Sequence, residues 1–166
     1  MRITSHDEAA FLVTLWAYGG RPIFAEPAVA RLFFRVLAAL RRRLGFRLHA
    51  YVLLPDQVRL ILGTPGGDPR WAQITVHRLK SRFAREINSR SGRLGLVWQD
   101  ADQRVAIRES GGITRRAEYL HRTPVAARLA SHPADWRWSS FRAWSGAGRV
   151  PAPVDLPREM DISRIT

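Results

Sequence analysis

The stretch from Phe46 to Thr64, FRLHAYVLLPDQVRLILGT, restricts the fold more than any other part of the chain. Two apolar runs flank Pro55-Asp56, and a proline-aspartate pair between β-rich runs marks a tight turn. A hairpin follows. With a two-residue loop, Leu54 pairs with Gln57, Val52 with Arg59 and Ala50 with Ile61. Side chains alternate along a strand. Gln57, Arg59 and Ile61 therefore share one face, and Val58, Leu60 and Leu62 the other. In this register His49 falls on the face opposite Arg59, and a slip of one residue would reverse that.

The rest of the chain arranges itself around this hairpin. Phe11 to Ala17 reads as a first strand, broken by Gly19-Gly20-Arg21-Pro22. From Pro27 to Leu44 apolar residues recur at helical spacing, with Pro27 suited to the first turn and Gly45 to the stop. Arg41, Arg42 and Arg43 close this helix, where they either complement its dipole or contact phosphate. Pro69 starts a second helix reaching about Asn88, with an apolar stripe of Ala72, Val76, Leu79, Phe83 and Ile87. Beside it Arg78, Arg82 and Arg85 form a basic stripe without interleaved acids, either a solvated face or a phosphate-binding one. After a turn-rich loop, Leu96 to Trp98 and Val105 to Ile107 read as short extended segments around the polar stretch Gln99 to Arg104. A third helix is expected over Ile113 to His121 and another over Pro124 to about Ala130. The order β-α-β-β-α-β predicts an α+β ferredoxin-like sandwich, an antiparallel sheet with helices packed on it, plus a C-terminal helical appendage. One domain is expected over residues 1–145, followed by a Pro-rich tail over 146–166.

Charge adds a functional direction. Lys and Arg number 27 against 14 Asp and Glu, a net charge of +13, and Lys80 is the only lysine. A GC-rich genome accounts for arginine in place of lysine but not for the excess of bases over acids. A domain this basic attracts polyanions, nucleic acid foremost. The chain has no cysteine, which excludes disulfides and thiolate metal sites. No apolar run approaches membrane-spanning length and MRITSHDEAA has no signal-peptide core, so a cytoplasmic location is expected. The five histidines show no ligand spacing, and neither a P-loop nor a GxSxG motif is present.

Five stretches, the hairpin and four more in order, carry a resemblance. They are the hairpin; Arg78 to Asn88; Gly92-Arg93 to Trp98-Gln99; and Glu118-Tyr119-Leu120-His121 with Pro124-Val125-Ala126, followed by His132-Pro133 to Ser139-Ser140. Together they resemble the single-tyrosine transposases that hold a divalent metal through a His-hydrophobic-His triplet, in particular the REP-associated branch. The resemblance places the two histidines on Gln57 and Arg59 and the tyrosine nucleophile on Phe83, which leaves these as degenerate catalytic positions and no catalytic residue. Chemistry in such a site needs the metal as Lewis acid and the tyrosine oxygen as nucleophile. Glutamine is a feeble metal ligand and arginine is none, so the metal implied by the resemblance is expected to be lost.

Phe83 on an apolar stripe also reads as plain core. Arg59 reads as a phosphate contact, a salt bridge to Asp56, Asp100 or Asp102, or an exposed cation. Trp136, Trp138 and Trp144 read as core rather than base-stacking residues, and His121 as structural or DNA-facing. The expected partner is single-stranded or hairpin DNA, held by Arg59, Arg78, Arg82, Arg85 and Arg41 to Arg43, with no membrane partner and with a homodimer admitted. The expected function is DNA binding by a catalytically inactive transposase-like protein. The alternatives are a transposase or nuclease with an altered site, and a protein-interaction module.

Overall fold

A computed structural model of the protein describes residues 9–92, 95–109 and 111–157. His6, Arg93 and the end of the tail lie outside the described residues. The elements run β1 (Ala10–Ala17), α1 (Pro27–Leu44), β2 (Arg47–Leu54), β3 (Gln57–Gly63), α2 (Pro69–Ser91) and β4 (Trp98–Ile107). A C-terminal appendage follows, built on α3 (Gly112–Ala126) and the single turn α4 (Phe141–Trp144). The sheet order is β2-β3-β1-β4 with every neighbouring pair antiparallel, the ferredoxin-like arrangement.

The local signals act as their chemistry predicts. Pro27 occupies the first turn of α1, and Gly45 takes a left-handed conformation (φ 71°) that ends it, its N–H bonded to the Arg41 carbonyl. Asp68 caps α2 by accepting from the Arg70 N–H. The hairpin has the expected register, Leu54 to Gln57, Val52 to Arg59 and Ala50 to Ile61. A bulge falls between Leu48 and Ala50, at the end of the hairpin remote from its turn.

The sheet is covered on both sides, unequally. On one side α1 and α2 pack over Val13, Leu15, Val58, Leu60 and Leu62 in a buried, aromatic core that includes Phe24, Phe33, Phe83 and Trp98. On the other, Ala117 and Leu120 of α3, with Trp144, pack on Ala50, Val52 and Ile61. Burial on both faces explains why β2 is apolar almost throughout instead of alternating.

Two expected boundaries differ. Trp98 to Ile107 is one continuous strand, because β4 is an edge whose backbone pairs with β1 while polar side chains face water. The helices expected over Ile113 to His121 and Pro124 to Ala130 are a single helix ending at Ala126. Pro124 cannot bond the Leu120 carbonyl, but the Thr123 hydroxyl donates to that carbonyl at 2.6 Å and satisfies it.

The tail packs back as far as it is described. Along the free edge of β2, Leu53 N–H donates to the Trp138 carbonyl (2.8 Å), Ser140 N–H to the Tyr51 carbonyl (3.0 Å) and Asp155 N–H to the Leu48 carbonyl (2.8 Å). Asp155 also accepts from the Leu48 N–H and pairs with Arg41 at 2.6 Å. The Tyr51 hydroxyl donates to the Ala152 carbonyl and accepts from the Ala152 N–H. These contacts protect an edge that would otherwise invite strand addition.

Candidate functional site

The positions that the resemblance gives to metal ligands lie just past the hairpin turn, which is firmly held. The Asp56 carbonyl accepts from the Ala17 N–H and the Pro55 carbonyl from the Phe24 N–H. Gln57 and Arg59 project to the α3 side, the side of Ile61. Arg59 is flanked across the sheet by Val52 and Thr14, and Thr14 in turn pairs with Gln103. Toward β1 and β4 this face carries half-buried Leu12 and Trp16 and exposed Gln103. Gln57 and Arg59 form the polar end of β3, next to the polar edge strand β4 beyond Thr14.

The two side chains bond each other. Arg59 Nε donates to Gln57 Oε1 at 3.0 Å, and Gln57 Nε2 donates to Asp56 Oδ1 at 3.4 Å. The amide thus joins a carboxylate to a guanidinium and orients the guanidinium from its Nε corner. Among the described residues no carboxylate pairs with Arg59: Asp102 pairs with Lys80 and Arg104 instead, on the α2 side. This donor set does not fit a divalent cation. The Gln57 oxygen is already engaged, and the guanidinium supplies positive charge and no lone pair. Among the described residues no three His, Asp or Glu side chains gather into a metal-binding group.

Phe83 is elsewhere. It is fully buried (0% exposed) on the α1–α2 side, its ring 5.6 Å from Phe24, 5.5 Å from Phe33 and 5.4 Å from Trp98. The sheet separates it from Gln57 and Arg59. The structure therefore corrects the grouping of Gln57, Arg59 and Phe83 into one degenerate site: Phe83 is core. Arg78 and Arg85, exposed, and Arg82, half-buried, travel with α2 to that same side and do not border Arg59. Arg42 and Arg43 are exposed at the end of α1, while Arg41 is committed to Asp155 and the Pro153 carbonyl.

The helix α3 packs on the same side of the sheet as Arg59, and it carries a tyrosine. Tyr119 lies on α3 and is 60% exposed. His121, two residues on, occupies the flank of α3 turned to the β2 edge, where its Nε2 meets Ser140 Oγ at 2.7 Å and its ring meets Trp144. Two residues along a helix amount to about 200° of rotation, so Tyr119 points away from His121 and from the buried Ala117–Leu120 stripe, toward solvent. The sequence carries the sign of this exposure, for Tyr119 sits between the apolar positions Ala117 and Leu120 without belonging to their stripe. Burial pushes the His121 imidazole down to about pKa 4, so it is neutral and structural at pH 7. His49 is buried at the bulge, its Nδ1 2.7 Å from the Asp155 carbonyl and remote from the hairpin turn. Trp138 and Trp144 are core residues, and Trp136 Nε1 is tied to the Leu53 carbonyl.

No protein-family profile matches the chain. It is 27% identical over 105 residues to a REP-associated tyrosine transposase assignment in Haemophilus influenzae, covering 58% of this chain and 59% of that protein. It is 25% identical over 115 residues to the REP-associated tyrosine transposase of Escherichia coli K12, covering 67% and 64%. The chain thus matches less than two thirds of the length of either relative. Among solved structures, a REP-associated tyrosine transposase bound to a REP hairpin superposes with a TM-score of 0.70 at 20% identity, over 95% of this chain and 92% of that one. A transposase-like protein of Deinococcus radiodurans R1 superposes with a TM-score of 0.53 at 16% identity, over 74% and 95%. At these identities the superpositions establish the fold.

Proposed function

From the premise that the chain stands close to the REP-associated tyrosine transposases, we propose that it binds single-stranded or hairpin DNA through the Arg59 side of the sheet and does not cut it by metal-dependent chemistry. The observation that carries this reading is the Asp56–Gln57–Arg59 relay. It puts an oriented guanidinium, with no carboxylate partner among the described residues, where a metal would otherwise meet a phosphate. A guanidinium can hold a phosphate by two parallel hydrogen bonds, but it cannot lower the pKa of a bound water or stand in as a replaceable Lewis acid. The net charge of +13 supplies the long-range attraction. The hairpin held by the structural neighbour supports the choice of DNA form. Arg78, Arg82, Arg85, Arg42 and Arg43 would touch only a strand that leaves this face and passes round to the α1–α2 side.

A second reading, an enzyme with an altered and metal-independent site, draws on the exposed Tyr119 hydroxyl. One experiment separates the two. A labelled hairpin with a single-stranded extension is titrated with wild type and Arg59→Ala over a range of salt, and the same mixtures are run on denaturing gels with magnesium, manganese or chelator. On the extension, Arg59→Ala should flatten the slope of log affinity against log salt by about 0.7 and weaken binding roughly tenfold or more. The wild type should leave the strand intact under all three conditions. Unchanged affinity and slope would remove Arg59 from the binding surface. A denaturant-resistant adduct lost in Tyr119→Phe would establish the second reading.

A further inference from the structure

A second concentration of arginine lies away from Arg59, in an open groove of about 660 Å³ between the outer face of α1 and the segment 137–151. Six arginines line it: Arg31, Arg35, Arg90, Arg137, Arg142 and Arg149. They come from α1, from the end of α2 and from the C-terminal segment, so the cluster exists only in the folded chain. Its aromatic floor is Phe34 and Trp138, whose rings stack at 5.9 Å with 20° between their planes. The Arg137 guanidinium lies 4.2 Å over the Trp138 ring, which orders it without using its donors. Arg142 Nε donates to the Ala134 carbonyl at 3.0 Å, which fixes that side chain from its base. No Asp or Glu lines the groove, and among the described residues none of the six pairs with a carboxylate. The groove between α2 and β4 differs, for there Lys80 and Arg104 are neutralised by Asp102.

Six like charges on one exposed groove repel one another, and this arrangement is stabilised when a polyanion lies among them. We infer that the groove is a second nucleic-acid site, one that holds the phosphodiester backbone of a duplex stem, independent of the Arg59 face. All six arginines are exposed and the groove is open along its length, which suits a continuous backbone better than an enclosed small ligand. Guanidinium forks match phosphate oxygens bidentately. Arg31 and Arg35 stand one helical turn apart on α1 and offer successive contacts along such a backbone.

The proposal is tested on the full chain with two probes, a blunt DNA hairpin lacking any single-stranded extension and polyglutamate at matched ionic strength. Arg31→Ala/Arg35→Ala/Arg149→Ala removes three exposed side chains without breaking a described hydrogen bond. It should keep the wild-type melting curve and flatten the salt slope for the blunt hairpin by about two to three units. In parallel, the wild type is treated with an arginine-selective dicarbonyl reagent with and without the hairpin, and the modified residues are mapped by mass spectrometry. Protection of Arg31, Arg35 and Arg149 is expected. Unprotected groove arginines together with an unchanged slope overturn the proposal. If Arg59 is protected on an extended hairpin in that case, the proposed function survives alone; if it is not, both fall. Equal protection by polyglutamate would identify a site for acidic protein and likewise overturn a nucleic-acid groove.

Discussion

The two faces of the sheet are built by different rules. On the α1–α2 side, four aromatic rings, Phe24, Phe33, Phe83 and Trp98, lie within 6.4 Å of one another, centroid to centroid, in a buried core. On the α3 side the apolar contact is small, and the Arg59 end carries a hydrogen-bonded chain of polar side chains. One face holds the fold together and the other is available for chemistry. An aromatic residue is therefore judged by the face its helix covers, not by its position in a motif. Phe83 and Tyr119 illustrate this: the first is inaccessible at the centre of one face, the second exposed on the helix that covers the other.

The largest expected effect breaks the aromatic face. Phe83→Ala removes a ring in contact with three others and should cost about 3–5 kcal/mol in a urea unfolding titration. Phe83→Tyr should cost less, about 1–3 kcal/mol, since the new hydroxyl would be buried among rings without a partner. Neither variant should confer nicking, because the sheet separates residue 83 from Gln57 and Arg59. A stable Phe83→Tyr protein that cleaved DNA would restore the single degenerate site that the structure divides.

The next effect is a pH dependence confined to the α3 side. His121 has its folded pKa pushed to about 4 by burial, below the ordinary value of 6.5. The unfolded chain binds the proton more readily, so the contribution of neutral His121 is complete above pH 6.5 and is lost as pH falls toward 4. The loss over that window is about 3 kcal/mol. His121→Gln, which cannot titrate, should be less stable at pH 7 but should lack this acid slope. An equal slope in the variant would assign the acid sensitivity to other groups.

The hairpin register and the limits of α1 were legible because each rests on local chemistry: the Pro55-Asp56 turn, Pro27 in the first helical turn and Gly45 at the stop. The continuity of α3 was not, since it depends on the Thr123 hydroxyl taking the carbonyl that Pro124 abandons. The strand through Gln99 to Arg104 was hidden because an edge strand is held by its backbone while its side chains follow solvent. The separation of Phe83 from Arg59 was recoverable. Two right-handed crossovers in one sheet put α1 and α2 on the same side, and the side they cover must be that of Val58, Leu60 and Leu62. That argument sends α2 away from Arg59 before any coordinates are known. What no local signal held was the groove of six arginines, assembled from three segments that meet only when β2 receives its C-terminal cover.

The smallest effect on stability sharpens the comparison from the exposed side. Tyr119 is 60% exposed and makes no described hydrogen bond. Tyr119→Ala should therefore leave unfolding within about 0.5 kcal/mol of wild type, against several kcal/mol for the ring at 83. Its effect should instead be on ligand. An exposed ring on the side of the sheet that carries Arg59 can stack an unpaired base, a contact whose loss costs about 1–3 kcal/mol. Binding to a hairpin with a single-stranded extension should weaken accordingly, while binding to the blunt hairpin should not change. Tyr119→Phe keeps the ring and should bind as wild type if stacking is the role. Weaker binding in Tyr119→Phe would mean that the hydroxyl itself reaches the DNA, and a site with a positioned tyrosine oxygen is closer to chemistry than the Arg59 relay alone suggests. If Tyr119→Ala instead unfolded the protein or left extended-hairpin binding unchanged, the α3 side would lose its claim to be the open face.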